Sequence, residues 1–202
     1  MTALAHETLE AVMPKVATPP SDLDDVLWQA WKAMELPEGY HAEIVSHGQI
    51  ANRLRDKLVV FLAPGEFVAR QDMNVIHKRK VWIPDLFIAL EDAEEHITED
   101  GLGIDASAVR LIAEVVSPGR DSLERDRSRK RRACARAGIP TYLIIDDFDG
   151  HGTVSVLTGP VGSEARYASE VRMPYGTEVI IPEGPAKGFV IDESVTGALR
   201  TS

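Results

Sequence analysis

Between residues 111 and 146 the apolar positions change period twice, and the elements this predicts organise the rest of the chain. Leu111, Ile112, Ala113, Val115 and Val116 form one apolar segment, the pattern of a strand covered on both faces, with Glu114 in its middle. After Ser117, Pro118 and Gly119, the stretch from Asp121 to Ala137 repeats at spacings of three, four and seven, and Gly138 and Pro140 supply stop signals. This predicts a helix with Leu123, Asp126, Lys130, Ala133, Cys134 and Ala137 on one stripe. Arg125, Arg129, Arg132 and Arg136 fall on the other side, so Lys130 is the cation turned towards the sheet. TYLIID at 141–146 reads as another buried strand, and strand, helix and strand in that order imply a right-handed crossover between parallel strands.

Residues 1–20 end in ATPP and read as a loosely held arm before a single domain at 21–202. Ser21 caps a short helix, YHAEIV at 40–45 reads as a strand, and Ile50, Leu54 and Leu58 mark a helix from Gly48 to Leu62. Strands are expected at 67–76 and at 81–90, the second interrupted by Pro84, with HKRK as the turn between them. The acidic stretch 91–107 reads as an exposed excursion, and the segments after Asp146 read as β hairpins. The expected architecture is α/β with a β-rich C-terminal edge.

Composition narrows the function. A chain of 202 residues can bury a core without staples, and Cys134 alone permits neither a disulfide framework nor a cysteine zinc site. No leader pattern and no apolar run of about 20 residues is present, so a cytoplasmic protein without membrane contact is expected. The net charge of -10 opposes general attraction to a polyanion, yet Arg120 to Arg136 holds eight basic against three acidic side chains. His77, Lys78, Arg79 and Lys80 form a second basic cluster. Charge runs of this kind are usually solvated faces; here they permit a nucleic-acid partner.

Glu114 is the candidate for chemistry, because an ionised carboxylate inside an apolar strand needs a cation, a metal or a raised pKa to offset its desolvation. Asp85, after Pro84, is by itself an ordinary turn-former. Together with Glu114 and Lys130 it makes an acidic pair plus a cation, which suits metal-assisted phosphodiester hydrolysis. Carboxylate oxygens hold Mg²⁺ or Mn²⁺, the Val115 carbonyl adds a further oxygen, and Glu43 is an auxiliary acid. The histidines show no HExxH spacing, the serines no GxSxG, and no phosphate-binding glycine loop is present.

IPDLF, LIAEVVSPG, ERDRSRK and AGIPTYLIID, in that order, resemble the Uma2 family of restriction-type endonucleases within the PD-(D/E)xK nuclease superfamily. The resemblance runs from Tyr40 to the C-terminus. It implies a restriction-endonuclease-like core, a central mixed β-sheet flanked by helices, and a divalent-metal site at Asp85 and Glu114. The superfamily's lysine position is occupied by Val116, and the family's displaced lysine corresponds to Lys130, four residues after Asp126. Cys134 stands where the family usually has a tyrosine, and the stretch between Glu43 and His47 is shorter than the family pattern. The expectation is a DNA endonuclease using Mg²⁺ or Mn²⁺, with RNA or single strands also open as substrates. Arg120, Arg125, Arg127 and Arg129 are candidate phosphate contacts, and a homodimer would cut both strands. The alternative is a weak or inactive nuclease-fold module that binds DNA or a protein.

Overall fold

Helix α1, Gly48–Leu62, forms where the periodicity places it, burying Ile50, Ala51, Leu54, Leu58 and Leu62 along one side. The computed structural model describes Ala33 and residues 48–99, 101–116 and 123–198. Two compact units divide the chain, Met1–Ile44 and Val45–Ser202, and every element named here belongs to the second. Glu43, Arg120, the expected arm, the strand at 40–45 and the short stretch at 43–47 lie outside the described residues.

The central sheet has six strands in the order β1 (Phe67–Arg70), β4 (Leu86–Leu90), β6 (Val109–Val115), β7 (Thr141–Asp146), β8 (Thr153–Val161) and β9 (Arg166–Pro174). Only β6 and β7 run parallel, as the strand, helix, strand pattern predicts. The other pairs are antiparallel, so the sheet is mixed. A second sheet joins β2 (Val75–His77), β3 (Lys80–Trp82) and β5 (Ile104–Asp105), and β10 (Val179–Ile180) pairs with β11 (Val190–Ile191) in a small C-terminal ladder.

Alternation along β6 assigns its side chains to two cores. Leu111, Ala113 and Val115 join Leu54 and Leu58 of α1 in one apolar cluster. Ile112 and Val116 join Cys134, Ala135, Tyr142 and Ile144 in the other. A register shift at Ile88/Ala89 leaves Arg110 as an extra residue, which is why odd-numbered Val109 packs with the even-numbered set. The second face is covered by a π-helical segment, Arg125–Lys130, continuing into α2, Arg131–Ala137. Gly138, at φ 76°, ends α2 in the left-handed conformation that glycine tolerates.

Three expectations change. The expected 67–76 strand splits into β1 and β2, because Gln71–Asn74 leave the ladder around Asp72 at φ 56°. The 81–90 strand splits at Ile83–Pro84, and its halves enter different sheets. The 91–107 stretch is not wholly an excursion: Ala93, Ile104 and Ala106 are buried, and β5 pairs parallel with β2. Among the described residues no helix is long and apolar enough to cross a membrane.

Candidate active site

Pro84 stops β3 from running on into β4, and the bend it makes carries Asp85 to the start of β4, an inner strand of the central sheet. The last β4–β6 pair is Leu86 with Ala113, and continuing that register one step sets Asp85 opposite Glu114. Asp85 Oδ2 accepts the Val115 backbone N–H at 2.6 Å, which ties the bend to the end of β6. Glu114 alternates with Ile112 and Val116, so its side chain enters the face under the π segment, where its residue is 1% exposed.

Lys130 meets it there. Its Nζ lies 2.7 Å from Glu114 Oε2 and 3.4 Å from Asp126 Oδ1, with its side chain 15% exposed. The periodic stripe therefore delivers Asp126 and Lys130 to the sheet, although through a π segment and not the α-helix expected. In that wider helical geometry Tyr142 of β7 donates its hydroxyl hydrogen to the Asp126 carbonyl at 3.0 Å. A tyrosine hydroxyl thus reaches this helix from the strand, while Cys134 stays buried among apolar side chains. Burial pushes the Cys134 thiol well up, so the site holds no ready thiolate nucleophile.

Asp85, Glu114 and Asp126 face Lys130 and Arg125, whose Nε lies 2.9 Å from Asp126 Oδ1. Burial pushes the Glu114 carboxyl up to about 8; Lys130 pulls it down, while Asp85 and Asp126 add to the rise. Burial alone would lower the Lys130 pKa, but Glu114, Asp126 and Asp85 outweigh it and hold the lysine above its ordinary value. Lys130 is therefore the more firmly charged partner, and burial biases Glu114 towards its protonated form.

The proposed phosphate contacts divide. Arg125 is engaged by Asp126, and Arg127 makes a two-pronged pair with Asp146, 2.6 Å from Nε to Oδ2 and 3.0 Å from Nη2 to Oδ1. Arg129 is exposed, and Arg120 lies outside the described residues. The pairings of Arg125 and Arg127 and the reach of Tyr142 escaped the sequence reading. The register of Ile112 with Tyr142 is the signal for the last, since it sets the tyrosine on the helix-covered face.

A mixed six-stranded sheet with helices on both faces, carrying two carboxylates beside a buried ammonium where β4 and β6 meet, is the architecture of a restriction-endonuclease-like α/β protein. The chain belongs to the Uma2 family, described as "Putative restriction endonuclease", which matches residues 31–193. A crystal structure of a protein from Anabaena variabilis, described as "a putative nuclease belonging to DUF820", shares the fold at a TM-score of 0.57. The sequences are 16% identical, and the match covers 84% of this chain and 96% of that one. No curated protein matches the chain. The family's description points to a nuclease function in general terms.

Proposed function

We propose that this protein is a metal-dependent endonuclease that hydrolyses DNA phosphodiester bonds at Asp85, Glu114 and Lys130. The observation that carries the reading is the buried contact between Lys130 Nζ and Glu114 Oε2 at 2.7 Å, beside two further carboxylates. Three carboxyl groups gathered around one buried ammonium offer hard oxygens to a divalent ion, which would take the place of the Glu114 proton. Asp85, Glu114 and the Val115 carbonyl would hold it, and this oxygen donor set fits Mg²⁺ or Mn²⁺, which retain waters and accept few protein carboxylates. Among the described residues no three or more His, Cys, Asp or Glu side chains group to form a larger cage. When bound, the ion supplies charge neutralisation at the phosphate and acidification of a water.

The chain's own residues do the rest. Glu114 gives up its retained proton when a cation replaces it. Lys130, held by Glu114 and Asp126, donates hydrogen bonds and positive charge to the phosphoryl oxygens; it is not the base, because its partners keep it protonated. Asp85 fixes the end of β6 through the Val115 N–H and so sets the direction of Glu114. Two such sites in a homodimer would serve the two strands of a duplex.

The test is cleavage of supercoiled plasmid by purified protein with Mg²⁺, Mn²⁺ or EDTA. Ion-dependent cutting is expected, falling about 10²- to 10³-fold in Lys130→Ala and below detection in Glu114→Gln. Cutting that survives Glu114→Gln would overturn the site. The engagement of Arg125 and Arg127 by carboxylates, with a net charge of -10, favours the second reading of a binding module without turnover. A folded wild type that cuts nothing under any ion would select it.

A further inference from the structure

One basic region of the surface is concave. His77, Lys78, Arg79, Lys80 and Trp82 of the β2–β3 hairpin face Ala133 and Arg136 of α2 across a groove of about 610 Å³, with Gly162 at its end. That volume lies within the roughly 300–1,000 Å³ typical of sites for small organic groups. Lys78, Arg79, Lys80 and Arg136 are exposed, and none makes an ion pair among the described residues. Of the neighbouring helix arginines, Arg125, Arg127 and Arg131 are held by Asp126, Asp146 and Glu170, while Arg129 and Arg132 are exposed. In an acidic protein, four unneutralised cations around one hollow concentrate positive potential there.

The hollow also has an aromatic wall. Trp82 is half-buried; part of it packs against the second apolar cluster and part lines the groove beside Ala133. Cations at a rim with an indole inside match a polymer that offers phosphates and flat apolar rings together. A paired duplex keeps its rings stacked on one another, so only an unpaired base can exchange that stacking for Trp82. An acidic peptide would satisfy the cations and leave the indole without a partner.

Each wall of the groove is built from residues close in sequence to the candidate centre, although Asp85, Glu114 and Lys130 do not line it. Trp82 precedes Asp85 by three residues, and Ala133 follows Lys130 by three, less than one helical turn. We propose that this groove is a binding track for unpaired nucleic acid, seating a base on Trp82 and phosphates on Lys78, Arg79, Lys80 and Arg136, and leading the strand to Asp85, Glu114 and Lys130. Its role in cleavage rests on the nuclease reading; the binding itself does not. The substrate class is then a single strand, or a duplex with a frayed or unpaired segment.

The test is fluorescence anisotropy in EDTA, with a labelled oligothymidylate, an oligouridylate and a duplex of equal length, titrated across salt concentrations. The single strands should bind more tightly than the duplex. Trp82→Leu should weaken single-strand binding about 5- to 150-fold, and Trp82→Phe, which retains a stacking face, should recover most of it. Arg79→Ala with Lys80→Ala should reduce the salt slope by about 1.4, at roughly 0.7 per lost phosphate contact. Far-UV circular dichroism checks that each variant is folded.

Equal affinity for duplex and single strand, no response to Trp82→Leu, or equal competition by poly-glutamate would each overturn the track. So would no binding at low salt by folded wild type. Binding as expected from a protein that cuts nothing with Mg²⁺ or Mn²⁺ would keep the track and sink the nuclease. Undiminished cutting of single strands by the groove variants would do the reverse.

Discussion

Glutamine at position 114 keeps the shape of the side chain and removes its titration, which makes Glu114→Gln a direct measure of what burying this carboxylate costs. The folded pKa lies above the unfolded one, so between the two the folded state binds more protons and stability falls as pH rises. The window runs from 4.5 to about 8. Below it the carboxyl is neutral in both states; above it the penalty is complete. At about 1.4 kcal/mol per pH unit the span amounts to roughly 5 kcal/mol. Lys130, Cys134 and Tyr142 also feel the Glu114 charge, so the difference between the two proteins reports Glu114 together with the response of these neighbours.

The assay is urea unfolding of both proteins in EDTA at about pH 5 and about pH 8. The variant should gain on the wild type by roughly 3.5 kcal/mol between the two conditions, since pH 8 reaches only the upper midpoint, a relative midpoint shift of about 1.5 M at the slopes usual for small proteins. Mg²⁺ or Mn²⁺ at the higher pH should close part of the gap by stabilising the wild type alone. A difference that does not change with pH would refute the reasoning: it would mean that Lys130, 2.7 Å away, compensates the burial in full.

Two other substitutions test the scaffold of the site and the core beyond it. Tyr142→Phe removes the hydroxyl that serves the Asp126 carbonyl and should cost about 1–3 kcal/mol, read as a fall of several degrees in a thermal melt; an unchanged melt would mean that water replaces it freely. Gly152→Ala should cost more than about 2 kcal/mol, since φ is 97° there and the new methyl would run into the ring of Tyr175. Tyr175 is buried and its hydroxyl is held by Asp147 at 2.6 Å, so it cannot yield cheaply; unfolding by urea measures the loss.

The parts legible in the sequence were those in which one periodicity held over many residues. The α1 pattern fixed its bounds, and the apolar runs around Glu114 and at 141–146 gave the parallel pair of the central sheet. Lys130 was legible because an amphipathic stripe admits few cations, and its meeting with Glu114 followed from strand alternation. Short strands were not legible. Residues 67–76 and 81–90 alternate well enough to read as single strands, and only tertiary pairing divides each between two sheets. The fates of Arg125 and Arg127 also depended on distant geometry: Asp146, the partner of Arg127, lies 19 residues away on another strand. The burial of Ile104 depends on β2, almost 30 residues earlier, which no local pattern announces.

The π segment gives the Tyr142 contact an unusual dependence on chain length. A helix whose hydrogen bonds span five residues in place of four behaves like an α-helix into which one residue has been inserted and retained. Deleting Arg127, Ser128 or Arg129 would let the stretch relax to ordinary α geometry, and its flanks would keep their phase, because the tighter winding restores the turn that the lost residue supplied. Asp126 and Lys130 would then stand three positions apart in place of four, still on one face of the helix. What the deletion removes is the widened turn in which the Asp126 carbonyl meets the Tyr142 hydroxyl, so a length change here would act on that hydrogen bond before it disturbed the pairing of the acid with the ammonium.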